Sequence, residues 1–180
     1  QAQDLRISMY ADITGLDPHD TSDNVSYSVQ SGIFERLFQF DPQMKLEPWL
    51  ATGYTSNDSA TEFTLTLRKG VTFQDGTPFD AEAVKANLDR LADQKKGLKR
   101  NSLYKMIDKV TVLAPDQVKI SLNQSFGAFI NTLAHPSAVM WSPSVLKQYP
   151  DEAQLRLHPV GTGPFKFVNW TPGKAVTLAK

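Results

Sequence analysis

The feature that most constrains the fold is a strand, a pair of turns and a helix that follow one another between residues 63 and 91. In the strand, large apolar residues alternate with threonines, as they do when one face is buried: Phe63, Leu65 and Leu67. Gly70 and Asp75-Gly76 then favour turns. Asp80 can cap the helix, whose apolar residues recur at i, i+4 and i+7: Val84, Leu88 and Leu91.

A predicted hairpin follows this unit. Its two strands alternate apolar and polar residues over 110–112 and 118–122, and Ala114-Pro115-Asp116 turns between them. Hairpins of this kind replace the regular strand–helix alternation that a doubly wound parallel sheet requires. The sequence therefore predicts an α/β fold with an α+β-like mixed sheet.

The ends of the chain add further elements. Residues 4–10 alternate as a strand does, and Ala175 starts a last strand that runs to residue 180. Ser22 or Asp23 can cap a helix that reaches Asp41-Pro42, because apolar residues recur there at four-residue spacing: Val25, Val29, Ile33 and Leu37.

Three more local signals complete the prediction of elements. Gly97 is placed to end the Asp80 helix in the left-handed conformation. A short helix is predicted over 126–133, and another is predicted to begin with Ser142 as its cap and Pro143 at its first position. Gly161-Thr162-Gly163 lacks the third glycine and the following helix of a phosphate loop, so it predicts a structural turn.

Composition excludes several functions. Nineteen basic and nineteen acidic residues give a net charge of zero, so nothing favours nucleic acid as a partner. The absence of cysteine removes disulfides and thiolate chemistry together. No apolar run approaches the roughly 20 residues that cross a bilayer. The start, Gln1-Ala2-Gln3, is typical of a mature end left after signal-peptide removal.

Catalytic and metal patterns are weak. Ser144-Val145-Leu146-Lys147 fits S-x-x-K and Ser22-Asp23-Asn24 fits S-D-N, the pattern of a serine hydrolase. Their order along the chain is reversed, however, K-T-G is missing, and helix capping explains both. The three histidines are scattered without metal-ligand spacing. We expect no enzyme activity and no cofactor.

Binding residues are easier to nominate. Arg100 closes a basic run that either is solvated or grips a carboxylate through two parallel hydrogen bonds. Tyr104 and Trp141, flanked by polar residues, fit either a cleft wall or the core. His135 ends a predicted helix before Pro136, where the turn can aim it into a cleft.

Three motifs in order carry a family resemblance. Gly32-Ile-Phe-Glu-Arg-Leu37 with Leu46-Glu-Pro-Trp-Leu-Ala51 resembles the "YE-L … P-LA-S/G-" opening of the family 5 extracellular solute-binding proteins. Phe63-Thr-Leu-Thr-Leu-Arg-Lys-Gly-Val-Thr-Phe-Gln-Asp-Gly-Thr-Pro-Phe-Asp-Ala-Glu-Ala-Val84 resembles their "LR-GV-F-DG-PF-A-DV" stretch. Pro159-Val-Gly-Thr-Gly-Pro-Phe165 resembles their "P-GTGPY" element.

The resemblance implies a periplasmic binding protein type II-like fold with two lobes that close on a solute. Residues 1–45 are then the first segment of lobe I, residues 46–158 an inserted α/β domain, and residues 159–180 return strands into lobe I. The second lobe would be absent, which makes the chain a fragment of a longer one. A truncated lobe with an open sheet edge is also expected to self-associate.

The resemblance also implies a function. It is that of the substrate-binding component of an ABC importer, located in the periplasm, which delivers a solute to the membrane permease. The glutathione-binding and nickel-chelate branches are most similar, so the solute would be a short peptide or a nickel chelate, with nickel entering only as part of that ligand. Arginines in two regions hold chelator carboxylates in the nickel branch. This chain has Arg100 in the first region, slightly displaced, but Ser137 in the second, which departs from that chelate geometry.

The implied first-lobe contacts share a location near the expected cleft: Thr21, Arg100, Tyr104 and His135. No metal ligand belongs to the protein itself in this interpretation. Two other classes stay open, a docking or structural module without transport and a serine hydrolase.

Overall fold

Antiparallel strands and short helices make up the part of the chain that a computed structural model describes, residues 4–5 and 11–180. The strands are β1 (Asp4–Leu5), β2 (Phe38–Phe40), β3 (Leu46–Pro48), β4 (Ala51–Ser56), β5 (Glu62–Leu67), β6 (Ile107–Ala114), β7 (Gln117–Leu122), β8 (Lys166–Thr171) and β9 (Ala175–Ala179). The helices are α1 (Asn24–Gln30), α2 (Ala81–Ala92), α3 (Phe129–Thr132), α4 (Pro143–Gln148) and α5 (Glu152–Leu155), with 3-10 turns at Pro18–Asp20, Gln94–Lys96 and Asn101–Tyr104.

The strands form three sheets in the described residues, in the orders β1-β9-β8, β2-β3 and β4-β5-β7-β6. Every pairing is antiparallel. This agrees with the predicted hairpins and with the prediction that the sheet is not doubly wound.

The larger core lies between the four-stranded sheet and α2. Alternate residues of β5 and β7 are buried, so each strand turns one face inward. The apolar stripe of α2 packs against that face, with Val84, Leu88 and Leu91 all fully buried. The Asp80 carboxylate accepts a hydrogen bond from the Ala83 backbone N–H at 3.0 Å, so the predicted cap is confirmed.

A second core lies beside it, around α1 and the end of the chain. Buried apolar residues from distant parts of the sequence meet there: Leu16, Val29, Phe34, Trp141 and Leu178. The division of the chain at residues 45 and 158 stays a prediction.

The backbone at residues 161–165 packs closely against the backbone that follows α1. The Gly163 N–H donates to the Ile33 carbonyl at 2.8 Å, and the Phe165 N–H donates to the Gly32 carbonyl at 2.9 Å. A Cβ on Gly163 would lie 2.5 Å from the Gly32 carbonyl oxygen, so only glycine fits. Gly161 and Gly163 therefore form a structural turn, as predicted.

The prediction that one helix runs from the Asp23 cap to Leu37 is wrong. Asp23 does cap α1, but the helix ends at Gln30. The carbonyls of Gly32 and Ile33 bind the Gly163 turn instead of continuing the helix. Ile33 and Leu37 are nevertheless fully buried. The four-residue spacing of apolar residues therefore correctly indicated which side chains are buried, but not that they lie in one helix.

Smaller corrections concern the helix ends. Ser142 occupies the N-cap position of α4, as predicted, but its side chain makes no capping hydrogen bond, because its hydroxyl donates to the Asp75 carboxylate at 2.5 Å. Pro143 does occupy the first helical position. Gly97 is left-handed, with φ of 65°, but it ends the Gln94–Lys96 turn, since α2 already stops at Ala92. Of the strand predicted over 4–10, residues 6–10 lie outside the described residues; the strand predicted from Ala175 is β9.

Candidate functional site

A concavity of about 310 Å³ opens between α1 and the turn at 136–139. Tyr27, Arg36 and Trp49 line it together with Pro136. The indole N–H of Trp49 donates to the Glu35 carboxylate at 2.7 Å, which fixes the ring. This wall offers an aromatic surface and a cation to a small polar solute.

Arg36 is held in place while most of its donors stay available. Its Nη1 donates to the Ala134 carbonyl at 2.9 Å, and its guanidinium lies 5.8 Å from the centre of the Trp49 ring. Burial lowers the pKa of Arg36 from its ordinary value. Arginine stays charged even so, and an immobilised guanidinium is suited to a carboxylate.

Arg100, one of the predicted site residues, contacts α1 beside the concavity. We call this region, around Tyr27, Arg36 and Arg100, the corner. Its Nε donates to the Thr21 carbonyl at 2.8 Å and to the Tyr27 hydroxyl at 2.7 Å. The Tyr27 hydroxyl in turn donates to the Thr21 carbonyl at 2.6 Å. The Arg100 guanidinium also lies 5.7 Å from the centre of the Tyr27 ring. Tyr27 therefore anchors the arginine by both its hydroxyl and its ring face.

His135 and Tyr104 join the cluster from the other side. The His135 ring meets the Tyr27 ring edge-on, with centroids 5.9 Å apart. His135 Nδ1 lies 2.7 Å from the Ser137 hydroxyl, which lies 2.7 Å from the Tyr104 hydroxyl. The structure thus brings all four predicted residues into one connected cluster through Tyr27 and Ser137.

The four residues differ in access. Thr21 and Tyr104 have no exposed surface, and the Thr21 hydroxyl donates a hydrogen bond to the Asp17 carbonyl at 2.7 Å. Arg100 and His135 are partly exposed. Thr21 and Tyr104 therefore lie behind the surface that Arg100 and His135 present. Contact of these four residues with a solute stays a prediction.

Burial and neighbouring cations tune the ionisable groups. Desolvation, followed by the charges of Arg100 and Arg36, lowers the pKa of His135 to about 4. Burial raises the pKa of Tyr104 and of Tyr27. At neutral pH the corner therefore carries two positive guanidiniums beside a neutral imidazole and neutral phenols.

A buried ionic cluster lies beneath this corner. The Arg90 Nη2 contacts the Asp17 carboxylate at 2.7 Å and also pairs with Glu152. Asp17 accepts the Trp141 indole N–H at 3.0 Å as well. Trp141 is fully buried, so it belongs to the core and not to a cleft wall.

His19 completes the buried cluster. Its Nδ1 lies 2.7 Å from the Arg90 Nη1, and arginine can only donate, so Nδ1 is an acceptor. Its Nε2 then donates to the Val139 carbonyl at 3.0 Å. Desolvation and the Arg90 charge lower the pKa of His19 to about 4, which keeps this buried ring neutral.

The serine-hydrolase pattern finds no assembled site. The Ser144 hydroxyl pairs with the Thr77 hydroxyl at 2.9 Å, and Asp23 is engaged as the cap of α1. Across residues 11–180, no group of three or more His, Asp or Glu side chains is arranged to hold a metal ion.

Sequence reasoning missed Tyr27 and Arg36 as parts of this corner, and it named Ser137 only as a departure from the arginine pattern of the nickel branch. Arg36 lies inside the Gly32–Leu37 motif, which marked the segment but not the residue. Tyr27 and Trp49 carried no signal that separates a cleft residue from a core residue. None of the helices in the described part of the chain has the length and apolar character needed to cross a bilayer.

Comparison with known proteins identifies the family to which this fold belongs. The model of the bacterial extracellular solute-binding proteins, family 5 Middle, matches residues 45–180. The glutathione-binding protein GsiB of Salmonella paratyphi A is 45% identical over 179 residues, which are 99% of this chain and 35% of that protein. The chain therefore spans about a third of the length of the curated relatives it matches.

Solved structures agree with this relationship. AgaA of A. tumefaciens, in complex with agropinic acid, has a TM-score of 0.83 and 33% identity, covering 92% of this chain and 33% of that one. NikZ of Campylobacter jejuni, in complex with Ni(L-His), has a TM-score of 0.82 and 28% identity, with coverage of 92% and 33%. The fold is thus the periplasmic binding protein type II-like one, of which about a third is present. The chain belongs to family 5 of the bacterial extracellular solute-binding proteins.

Proposed function

We propose that this chain is the first-lobe part of the substrate-binding component of an ABC importer. It captures a small solute in the periplasm and contributes to its delivery to the membrane permease. The solute is a short peptide of the glutathione or dipeptide kind, or a nickel chelate that carries carboxylates. The protein catalyses no reaction and holds no cofactor of its own.

The observation that carries the proposal is the pair of anchored guanidiniums at one aromatic corner. Arg36 and Arg100 each use a single nitrogen on a backbone carbonyl, and the other nitrogens have no hydrogen-bond partner among residues 11–180. Two such cations beside Tyr27 and Trp49 match a solute with carboxylates and an apolar or amide portion. The family relationship supports the same conclusion.

The test is isothermal titration calorimetry on the protein in its full natural length. Reduced glutathione, a dipeptide and the nickel complex of histidine serve as probes, and native mass spectrometry identifies any solute that is purified with the protein. We expect saturable binding of at least one probe. Arg36→Gln is expected to weaken that binding about tenfold or more, since a charge-assisted hydrogen bond contributes about 1.5–3 kcal/mol.

Lys69→Gln is the matched control, because Lys69 is exposed, lies in the loop after β5 and is not among the residues that line the concavity. It is expected to leave the affinity unchanged. Turnover of any probe, or wild-type binding that Arg36→Gln does not alter, would contradict the proposed function.

The 180-residue chain alone is expected to bind these probes weakly. A ligand can favour closure only through its difference in affinity between the open and closed states, and we propose that an opposing lobe supplies that difference. Micromolar binding to the isolated chain would contradict this. We also propose that the isolated chain self-associates, which a monomeric sedimentation profile at high concentration would refute.

A further inference from the structure

Three side chains run in series from the core to the surface of the corner. The fully buried Tyr104 hydroxyl lies 2.7 Å from the Ser137 hydroxyl, and Ser137 is itself fully buried. The Ser137 hydroxyl lies 2.7 Å from His135 Nδ1. The backbone N–H of Ser137 also donates to His135 Nδ1 at 3.0 Å.

The backbone contact fixes where the His135 ring carries its proton. A backbone N–H can only donate, so Nδ1 accepts and holds no hydrogen. A neutral imidazole with a bare Nδ1 carries its hydrogen on Nε2. The Ser137 hydroxyl can then donate to Nδ1 as a second donor while it accepts from Tyr104.

The surroundings keep this ring neutral. The charged and titratable groups that face His135 are Arg100, Arg36 and Tyr27. Desolvation comes first and the two arginine charges second in holding the pKa of His135 near 4. Protonation would add a third positive charge to the corner.

The outer nitrogen of His135 remains available. Nε2 has no hydrogen-bond partner among residues 11–180, and it is not one of the buried unpartnered atoms found there. Nε2 therefore has solvent-accessible surface and can act as a donor. Arg100 and His135 flank Tyr27, so a donor N–H and a cation share the same rim.

We propose that His135 is a specificity-determining residue that presents its Nε2–H to an oxygen acceptor of the solute, a carboxylate or a peptide carbonyl. Ser137 and Tyr104 are the positioning residues that fix the ring for this role. The inference rests on the proposed function, since it concerns recognition of the same solute.

This arrangement also disfavours a role for His135 as a metal ligand. Metal binding at a ring nitrogen needs a free lone pair, and here Nε2 carries a hydrogen while Nδ1 is occupied by Ser137. A nickel cargo would be held through the oxygen atoms of its chelator. Ser137 itself points inward to Tyr104, so it does not replace the chelate-binding arginine of the nickel branch.

The first test is independent of any solute. Two-bond nitrogen–proton NMR spectra of the ¹⁵N-histidine-labelled chain report the tautomer, and the signals of His135 are assigned by their loss in His135→Gln. We expect the Nε2–H tautomer at pH 7. A hydrogen on Nδ1, or a charged ring at that pH, would overturn the proposal.

The positioning role has its own readout. Removing the Ser137 hydroxyl with Ser137→Ala takes away a donor that favours the neutral ring, so the NMR titration midpoint of His135 should rise by about half a pH unit or more. Tyr104→Phe keeps the hydroxyl of Ser137 and should shift the midpoint less. A merely structural role would lower thermal stability in both variants without this ordering.

Binding is tested with paired variants of the full-length protein and reduced glutathione. In His135→Gln the amide N–H₂ can take the place of Nε2–H, whereas His135→Leu removes the donor at similar size. We expect the leucine variant to bind at least about tenfold more weakly and the glutamine variant to stay within about threefold of wild type. Equal affinity of both variants, high or low, would refute the donor role.

Binding experiments with nickel distinguish the donor role of His135 from the proposed function as a whole. The nickel–histidine complex should bind wild type and His135→Gln alike, while nickel without a chelator should not depend on His135. Chelator-free nickel binding that His135→Gln abolishes would overturn the inference. If no probe binds the wild-type protein, the proposed solute classes fail, and the NMR tautomer alone decides whether His135 presents a donor.

Discussion

Replacing Arg90 with methionine removes the cation from the buried cluster that lies beneath the candidate site. Arg90 is 5% exposed and contacts Asp17 through both terminal nitrogens, at 2.7 and 3.3 Å. It also pairs with Glu152 and donates to His19. The methionine variant therefore leaves the Asp17 carboxylate buried without its main counter-charge.

The expected cost follows from which partners remain. Breaking a buried ion pair by removing one partner costs about 3–5 kcal/mol. Two donors still reach Asp17 after the change, the Trp141 indole and the His19 backbone N–H, each at 3.0 Å. Arg90 also has a buried Nε with no partner among residues 11–180, and methionine removes that defect. We therefore expect the low end, about 3 kcal/mol.

The assay is urea unfolding of the chain, combined in a double-mutant cycle with Asp17→Asn. A loss of about 3 kcal/mol corresponds to a decrease in melting temperature of roughly 6–12 °C for a domain of this size. In wild type, Asp17→Asn should destabilise, because its amide would face the donors of Arg90. In the Arg90→Met background it should stabilise, because it neutralises an isolated buried charge.

Lys69→Met is the control, since Lys69 is exposed, Asp116 is partly exposed, and their charged atoms are 3.6 Å apart. Such a pair contributes about 0–1 kcal/mol. The reasoning is refuted if Arg90→Met costs less than about 1 kcal/mol, or if Asp17→Asn has the same effect in both backgrounds.

Three further predictions concern stability. Because the pKa of His19 falls from 6.5 to about 4 on folding, the unfolded chain binds more protons between these values. The contribution of His19 to the unfolding free energy should therefore drop by about 3 kcal/mol as the pH falls from 6.5 to 4, in addition to a loss of the same sign from His135. Chemical denaturation should accordingly show a shallower pH slope in His19→Gln. Gly163→Ala should cost about 1–3 kcal/mol through overpacking against Ile33, with Gly53→Ala as the unhindered control. Asp80→Ala should cost about 1 kcal/mol by removing the cap of α2, measured by thermal unfolding.

Local features of the fold could be predicted because they depend on neighbours in sequence. The alternation in β5, the cap at Asp80 and the hairpin of β6 with β7 each follow from a few adjacent residues. The position at which α1 ends could not be predicted in this way, since it depends on the Gly163 turn, more than 130 residues away. Long-range backbone pairing competes with helix extension and leaves no trace in local periodicity.

The candidate site was predictable only in part, for a related reason. Polar type and position near the family motifs were enough to nominate Thr21, Arg100, Tyr104 and His135. Their different burial was not predictable, because it depends on which side of α1 and of the 134–139 turn faces the core. Tyr27, which joins these residues, looks like any aromatic residue on a short helix.

The buried cluster and the candidate site lie on two sides of one short segment, residues 17–21. Asp17 begins it inside the core, and Thr21 ends it beneath the arginine. The backbone N–H of Arg100 donates to the His19 carbonyl at 3.2 Å, so the loop that carries the arginine is docked on this segment. Backbone carbonyls and buried partners already fix these donors. Under the proposed function, a solute would therefore order few side chains on binding, and less binding free energy would be lost to conformational entropy. The remaining binding free energy would favour closure of the lobes to the extent that the closed state adds contacts that the open state lacks.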